Sequence, residues 1–185
     1  MTFSEDTGLE ENPEIVPNTD IRDASVVRTE TEMHEIDIDG DGMADGVRNT
    51  YTQVREIDVD GDGVPDIIET TRVEETTIDA DGDGFPDVFT TTESTETTMD
   101  FDGDGNADSV EITEVRTVAH DISGDGMPDV TRTDVVTVSG IDPDGDGELR
   151  DVETQGVRLY GIDTDGSGSI DQFMSEELDV EVVEE

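Results

Sequence analysis

The chain contains no cysteine, no tryptophan and no lysine, and aromatic residues make up only 4% of its 185 residues. Without cysteine, neither a disulfide framework nor a zinc–thiolate site can form. Because apolar residues account for only 30% of the chain, we do not expect one large hydrophobic core. All positive charge except that of histidine and the terminus comes from nine arginines.

Long apolar segments are also missing, so we predict no membrane insertion. The first residues, 1–16, are acidic and polar and lack the basic and apolar regions of a secretory signal. We therefore expect export by another route, or export of a chain that has already been trimmed.

Acidic residues dominate the composition, with 53 acids against nine bases and a formal net charge of −44. A net negative charge of this size disfavours direct binding of nucleic acid or anionic lipid. It is also typical of disordered chains and of halophilic surfaces. However, 25 of the 31 aspartates occupy the same four positions of one repeated motif, and neither interpretation explains that order.

The motif is a nine-residue acidic loop, Asp-x-Asp-Gly-Asp-Gly-x-x-Asp, which occurs seven times with a constant period of 21 residues. The loops begin at Asp37, Asp58, Asp79, Asp100, Asp121, Asp142 and Asp163. A constant period of this length predicts a repeat array in which each unit is stabilised by its neighbours.

Carboxylates on alternate residues of a tight loop predict a site for a hard cation, and Ca²⁺ fits best. Glycine at motif positions four and six permits positive φ and leaves room for the ion. Positions one, three, five and nine offer side-chain oxygens, and position seven, which varies, offers its backbone carbonyl. The predicted ligands are Asp37, Asp39, Asp41, Met43, Asp45, Asp58, Asp60, Asp62, Val64, Asp66, Asp79, Asp81, Asp83, Phe85, Asp87, Asp100, Asp102, Asp104, Asn106, Asp108, Asp121, Ser123, Asp125, Met127, Asp129, Asp142, Asp144, Asp146, Glu148, Asp151, Asp163, Asp165, Ser167, Ser169 and Asp171.

The later loops depart from the motif. Ser123 and Ser167 replace carboxylates, and Arg150 stands at position nine of the sixth loop, where we expect Asp151 to substitute. Loops five to seven should therefore bind calcium less tightly. Water, position nine or a carboxylate of the adjacent repeat must complete the coordination, and ions shared between adjacent repeats are one hypothesis.

The loop resembles the calcium loops of EF-hands, dockerins, thrombospondin type 3 repeats and FG-GAP repeats. Each family differs from this chain in one respect. EF-hands place a glutamate at position twelve, where this chain has Arg48 and Thr90 in two of its loops. In dockerins a helix follows the loop, whereas a strand-like arm follows it here. Thrombospondin type 3 repeats contain cysteine, which this chain lacks. FG-GAP loops lead into strands, but 21 residues cannot hold a four-stranded propeller blade. The resemblance implies a calcium-loop β-repeat protein.

Between the loops lie arms of about twelve residues rich in threonine and valine, which favour strands over helices. Two apolar columns recur, and a third lies five residues after the first, which predicts that each arm bends into two short strands. The fold class predicted is all-β, a calcium-stabilised β-solenoid of seven repeats, with an antiparallel β-meander as the alternative. Position twelve is Glu in even repeats only, which hints at a 42-residue unit.

Three regions follow from the repeat. Residues 1–24 form a leader or a degenerate cap, in which Asn18 and Asp20 match two loop positions; residues 25–171 form the array; and residues 172–185 form a C-terminal strand and acidic tail. The first and last arms lack an obvious covering helix, which predicts head-to-tail pairing of subunits.

We expect a non-enzymatic, extracellular or cell-surface structural protein that folds on binding Ca²⁺ and polymerises with itself. A soluble calcium buffer or sensor, and a stalk or binding module of a secreted enzyme, remain alternatives. Catalysis is not expected, because identical aspartate pairs in seven copies are not the arrangement of a single active site. O-linked glycans on the threonines are a second interpretation of the arms, and surface glycans are kept as a candidate partner.

Overall fold

The computed structural model describes residues 26–178, and every regular element among them is a β-strand. None of the described residues belongs to a helix that could cross a membrane. The strands are β1 (Val26–Ile36), β2 (Gly46–Ile57), β3 (Ile67–Ile78), β4 (Val88–Met99), β5 (Ser109–His120), β6 (Val130–Ile141), β7 (Arg150–Ile162) and β8 (Gln172–Glu177). Asn18, Asp20 and the end of the acidic tail lie outside these residues.

The eight strands form one antiparallel sheet in the order β1 to β8, so each strand pairs with its neighbours in the chain. Each acidic loop is the connection of one hairpin. The solenoid prediction is therefore wrong, and the meander, which was the alternative, has the observed topology. The all-β class and the 21-residue spacing are confirmed.

Each arm is one continuous strand, so the predicted bend is wrong as well. Paired residues share a face and have residue numbers of the same parity, so, because the period of 21 is odd, equivalent residues of successive repeats lie on opposite faces. Val47 and Phe89 both pair with Thr77 and share one face, whereas Ile68 and Val110 both pair with Thr98 on the other. The structural unit is therefore two repeats, as position twelve hinted.

The sheet is a single layer with little core. Among the described residues, Ala119 is the one hydrophobic side chain that is buried, while most central strand residues are half-buried. This agrees with the expectation from composition. Stability must come mainly from the hydrogen-bond ladders, from side-chain pairs between strands and from the loops that close the hairpins.

Polar side-chain pairs join neighbouring strands on both faces of the sheet. On one face the hydroxyl groups of Thr113 and Thr137 lie 3.1 Å apart. On the other face Arg158 donates hydrogen bonds of 2.5 and 3.2 Å to both carboxylate oxygens of Asp134. This pair joins β6 to β7 and is only partly exposed, with 27% of the Arg158 side chain and 17% of the Asp134 side chain accessible.

Candidate metal centres

The loops form two rows at opposite ends of the sheet. Because each hairpin reverses the chain, loops one, three, five and seven lie at one end, and loops two, four and six at the other. A strand of twelve residues separates the two ends by roughly 40 Å. Loops adjacent in the chain therefore cannot share an ion, and that form of the bridging hypothesis is wrong. The spatial neighbours are loops two repeats apart.

The glycines give the loops their shape. At positions four and six of every loop φ lies between 67° and 96°, a region that favours glycine over all other residues. For Gly61 and Gly63 an added Cβ would touch nothing within 4 Å, so backbone conformation alone requires glycine there. The positive φ predicted from the sequence is confirmed.

The position-one carboxylate organises each loop by accepting two backbone hydrogen bonds. In the second loop, Asp58 Oδ1 accepts from the amide of Gly61 at 2.6 Å and Oδ2 from the amide of Gly63 at 2.9 Å. The same pair of bonds occurs in all seven loops. This aspartate is thereby fixed at the centre of the loop.

Positions three and five use their carboxylates for short local turns. Asp60 Oδ1 accepts from the amide of Asp62 at 3.0 Å, and Asp62 Oδ1 accepts from the amide of Val64 at 2.8 Å. These bonds hold each side chain over its own loop. Each carboxylate oxygen has a second lone pair that a cation can use.

Position nine closes the loop. In loop one, Asp45 Oδ2 accepts a bond of 2.6 Å from the amide of Ile38 at position two, and the backbone amide of Asp45 donates to the carbonyl of Ile36 at 2.8 Å. Loops two to five repeat the first bond. In loop seven, the hydroxyl and amide of Thr164 donate to Asp171.

The loops bring three carboxylates together, with one oxygen from each lying within 4.8 Å of the others. Such clusters include Asp37, Asp39 and Asp45; Asp58, Asp60 and Asp62; Asp79, Asp81 and Asp87; Asp100, Asp102 and Asp108; and Asp142, Asp144 and Asp146. Positions one and three thus combine with position five or nine. Each of these clusters comes from one loop.

Calcium fits this donor set. Oxygens that share a Ca²⁺ ion at 2.3–2.6 Å can lie at most about 5 Å apart, and those of the clusters meet this limit. All the donors are hard carboxylate oxygens, which suit Ca²⁺ rather than a metal that prefers sulfur or imidazole. At position seven, Met43, Val64, Phe85 and Met127 expose their side chains, so only their carbonyl oxygens are candidates for the ion.

Three position-one carboxylates have a lowered pKa: Asp121, Asp142 and Asp163. Burial raises the pKa of Asp142, but amides of the loop, chiefly that of Gly147, donate to the carboxylate and together lower the pKa by more. The same balance holds for Asp121 and Asp163. These groups are therefore ionised at neutral pH, as metal ligation requires.

Loops at the same end are joined through their backbones. The amide of Asp100 donates to the carbonyl of Asp66 at 2.9 Å, and the amide of Asp142 donates to the carbonyl of Asp108 at 2.8 Å. Equivalent bonds join loops one and three, three and five, and five and seven. In loops three to seven, the first residue is thus fixed to the last residue of the loop two repeats earlier. Sequence reasoning did not find this link.

The sixth loop differs in its side-chain contacts. Arg150, at position nine, donates from Nη1 to Asp144 Oδ1 at 2.5 Å and from Nη2 to Asp146 Oδ2 at 2.6 Å. Asp151, which the sequence suggested as a substitute ligand, is exposed and has a positive φ of 50°. The sequence places Arg150 at position nine of this acidic loop, but it does not show which carboxylates the guanidinium contacts.

Comparisons with known proteins identify no relative. No family model, no curated protein and no solved structure matches this chain.

Proposed function

We propose that this protein is a non-enzymatic, calcium-binding structural protein of the extracellular space or cell surface, whose sheet is stabilised by ions bound in its hairpin loops. The carboxylate clusters support the proposal of a bound metal ion, because three carboxylates with oxygens within 4.8 Å of one another repel unless a cation lies between them. The repulsion recurs at both ends of a sheet that has almost no core to offset it.

Calcium binding is therefore expected to contribute directly to folding. An ion bound in a loop fixes the turn that brings two strands together, and binding free energy becomes folding free energy. Loops of extracellular modules bind Ca²⁺ with Kd values on the order of 10⁻⁴–10⁻³ M, so millimolar calcium would suffice. Isothermal titration calorimetry with CaCl₂ tests whether calcium binds, and the same titration with MgCl₂ tests whether the loops prefer calcium. Absence of heat with both ions would refute calcium binding.

We further propose that subunits pair through the edges of the sheet and form a fibre. All eleven residues of β1 lie at one edge of the sheet that the described residues form, and ten of them are exposed. At the other edge of the described sheet β8 has only six residues and pairs with Val157–Ile162 of β7, so the rest of β7 pairs with β6 alone among the described residues. Unprotected strands of this kind can accept a strand from another chain.

Light scattering in calcium and in EDTA tests the fibre. Long particles that grow only in calcium are expected, and a uniform monomer in calcium would instead favour the soluble buffer or sensor. Val27→Lys, on the exposed β1 edge, should reduce growth because a lysine hinders edge pairing. Ile112→Lys, at an exposed position of the central strand β5, is the matched control and should leave growth unchanged.

A further inference from the structure

The sixth loop differs from the others at two positions that contact each other in the repeat. Position nine is Arg150 here and Asp in the other six loops, and position two is Pro143. In loops one to five, the position-nine carboxylate accepts a hydrogen bond from the amide of position two. Proline has no amide hydrogen to donate. The sixth loop has therefore lost both the donor and the acceptor of this bond.

The Arg150 guanidinium takes up a different role. Its Nη1 and Nη2 atoms bind Asp144 and Asp146, which are two members of the three-carboxylate cluster of this loop. A planar guanidinium can bridge two carboxylates with two directed hydrogen bonds. Hydrogen bonding to Asp144, together with the charges of Asp144 and Asp146, raises the pKa of Arg150. The arginine thus carries its positive charge among the carboxylates.

The rest of the sixth loop keeps the common geometry. Asp142 Oδ1 accepts from the amide of Gly145 at 3.0 Å, and Oδ2 accepts from the amide of Gly147 at 2.7 Å. Asp142 is 2% exposed, the lowest value among the buried residues other than glycine in the described chain. The sixth loop therefore has the same backbone shape as the other acidic loops, but the guanidinium of Arg150 contacts its carboxylates.

We propose that Arg150 is a built-in counter-ion that closes the sixth loop without metal, so that calcium binds at the other loops and not at this one. This inference rests on the proposed calcium-binding function for its metal count. A Ca²⁺ ion entering the loop would have to break both arginine hydrogen bonds and would be repelled by the guanidinium. The consequence is a hairpin, β6–β7, that stays closed when calcium is removed, and the Asp134–Arg158 pair stabilises the same hairpin.

Arg150→Asp restores the motif and tests the proposal in two ways. By calorimetry, the variant should bind one more Ca²⁺ ion per chain than the wild type. Arg72→Asp makes the same charge change on a strand, at a side chain that is 58% exposed, and should leave the number of ions unchanged. Equal ion numbers in the wild type and Arg150→Asp would overturn the proposal, whereas no binding by either protein would refute the proposed function.

Hydrogen exchange in EDTA tests Arg150 without relying on calcium. In the wild type, amides of the sixth loop, including those of Gly145 and Gly147, should exchange at least about tenfold more slowly than the equivalent amides of the second loop. Arg150→Asp should abolish this difference, and Arg72→Asp should retain it. Equal exchange of the two loops in the wild type would contradict the role of the arginine.

Discussion

The backbone amide of Asp79 donates a hydrogen bond of 2.8 Å to the carbonyl oxygen of Asp45, and so joins the start of the third loop to the end of the first. The bond connects loops that are two repeats apart in the chain and neighbours in space. It means that each end of the sheet carries a row of linked loops. Order gained by one loop on binding an ion can therefore pass to the next loop of that row.

A loop variant should affect its own row more than the opposite one. Asp100→Asn weakens the acceptor of the Gly103 and Gly105 amides and removes a charge from the cluster of the fourth loop. In calcium, hydrogen exchange should accelerate in loop four, and also in loop two, whose Asp66 carbonyl accepts from the Asp100 amide. Loops three and five should change little. Equal acceleration in loops two, three and five would contradict coupling along one row.

Asp37→Asn is the control for this experiment. Asp37 makes the same two bonds, to the amides of Gly40 and Gly42, but its loop lies in the other row. Its effect should reach loop three and leave loops two and four unchanged. Exchange of the same peptides by mass spectrometry compares both variants directly.

In the third loop, position nine should matter more for calcium than position five. Asp87 belongs to the cluster with Asp79 and Asp81, and it also accepts from the amide of Ala80 at 2.6 Å. Asp87→Asn should lower the affinity of this loop by on the order of tenfold, because it removes charge from the ligand set. Asp83→Asn, at position five, should have a smaller effect. Calcium titrations that follow the chemical shift of the Gly82 amide measure the affinity of this loop in both variants. Equal losses of affinity would argue that Asp79, Asp81 and Asp87 do not form the ligand cluster.

Two glycines at the same repeat position should respond oppositely to alanine. At Gly161 an added Cβ would lie 2.5 Å from Thr131 Oγ1 and 2.6 Å from Ile170 Cγ2, so Gly161→Ala should destabilise the calcium-loaded protein by about 1–3 kcal/mol. At Gly140 the nearest atoms are 3.4 Å away, so Gly140→Ala should be neutral or slightly stabilising. Denaturant unfolding in saturating calcium measures both. A Gly161→Ala protein as stable as Gly140→Ala would show that this packing is wrong.

Acid should weaken the link between β6 and β7. A hydrogen bond from Arg158 lowers the pKa of Asp134 below its usual 3.8. The folded pKa is the lower one, so this contribution is complete above about pH 4–5 and is lost as the pH falls through the folded pKa. Asp134→Asn should cost roughly 0.5–1 kcal/mol at pH 7, the scale of a partly exposed ion pair.

The difference between the wild type and Asp134→Asn should therefore shrink on acidification below about pH 4. Urea unfolding at several pH values measures this difference in the free energy of unfolding. Glu93→Asn is the control, because Glu93 lies on a strand and belongs to none of the ion pairs found in the described chain. A difference that stays constant from pH 7 to pH 3 would contradict the pairing.

Much of the loop was predictable, because its chemistry is local. The motif spans nine residues, so local residues determine the grouping of the aspartates and the positive φ of glycines such as Gly61. They also determine that the position-seven side chains, such as that of Phe85, lie at the surface. The all-β class followed from the threonine and valine arms. These features depend on propensity and spacing, which a sequence displays directly.

The topology could not be read from the same pattern. A solenoid and a meander can both repeat every 21 residues, and the direction in which successive arms pair, parallel or antiparallel, distinguishes them. Val47 and Ile68 are equivalent residues of successive repeats, and they lie on opposite faces because of the antiparallel register, which the sequence does not show. A single-layer sheet also tolerates apolar residues on both faces, so the predicted bend was unnecessary. The Arg150 contacts required three-dimensional placement of a long side chain.

The central claim is that divalent ions in the hairpin loops hold this thin sheet together. The most direct measurement is far-ultraviolet circular dichroism of the purified chain, first in EDTA and then during titration with CaCl₂, with the bound ions counted by calorimetry on the same sample. The account predicts a weak strand signal in EDTA that increases as ions bind. A full strand signal in EDTA, unchanged by calcium, would contradict it.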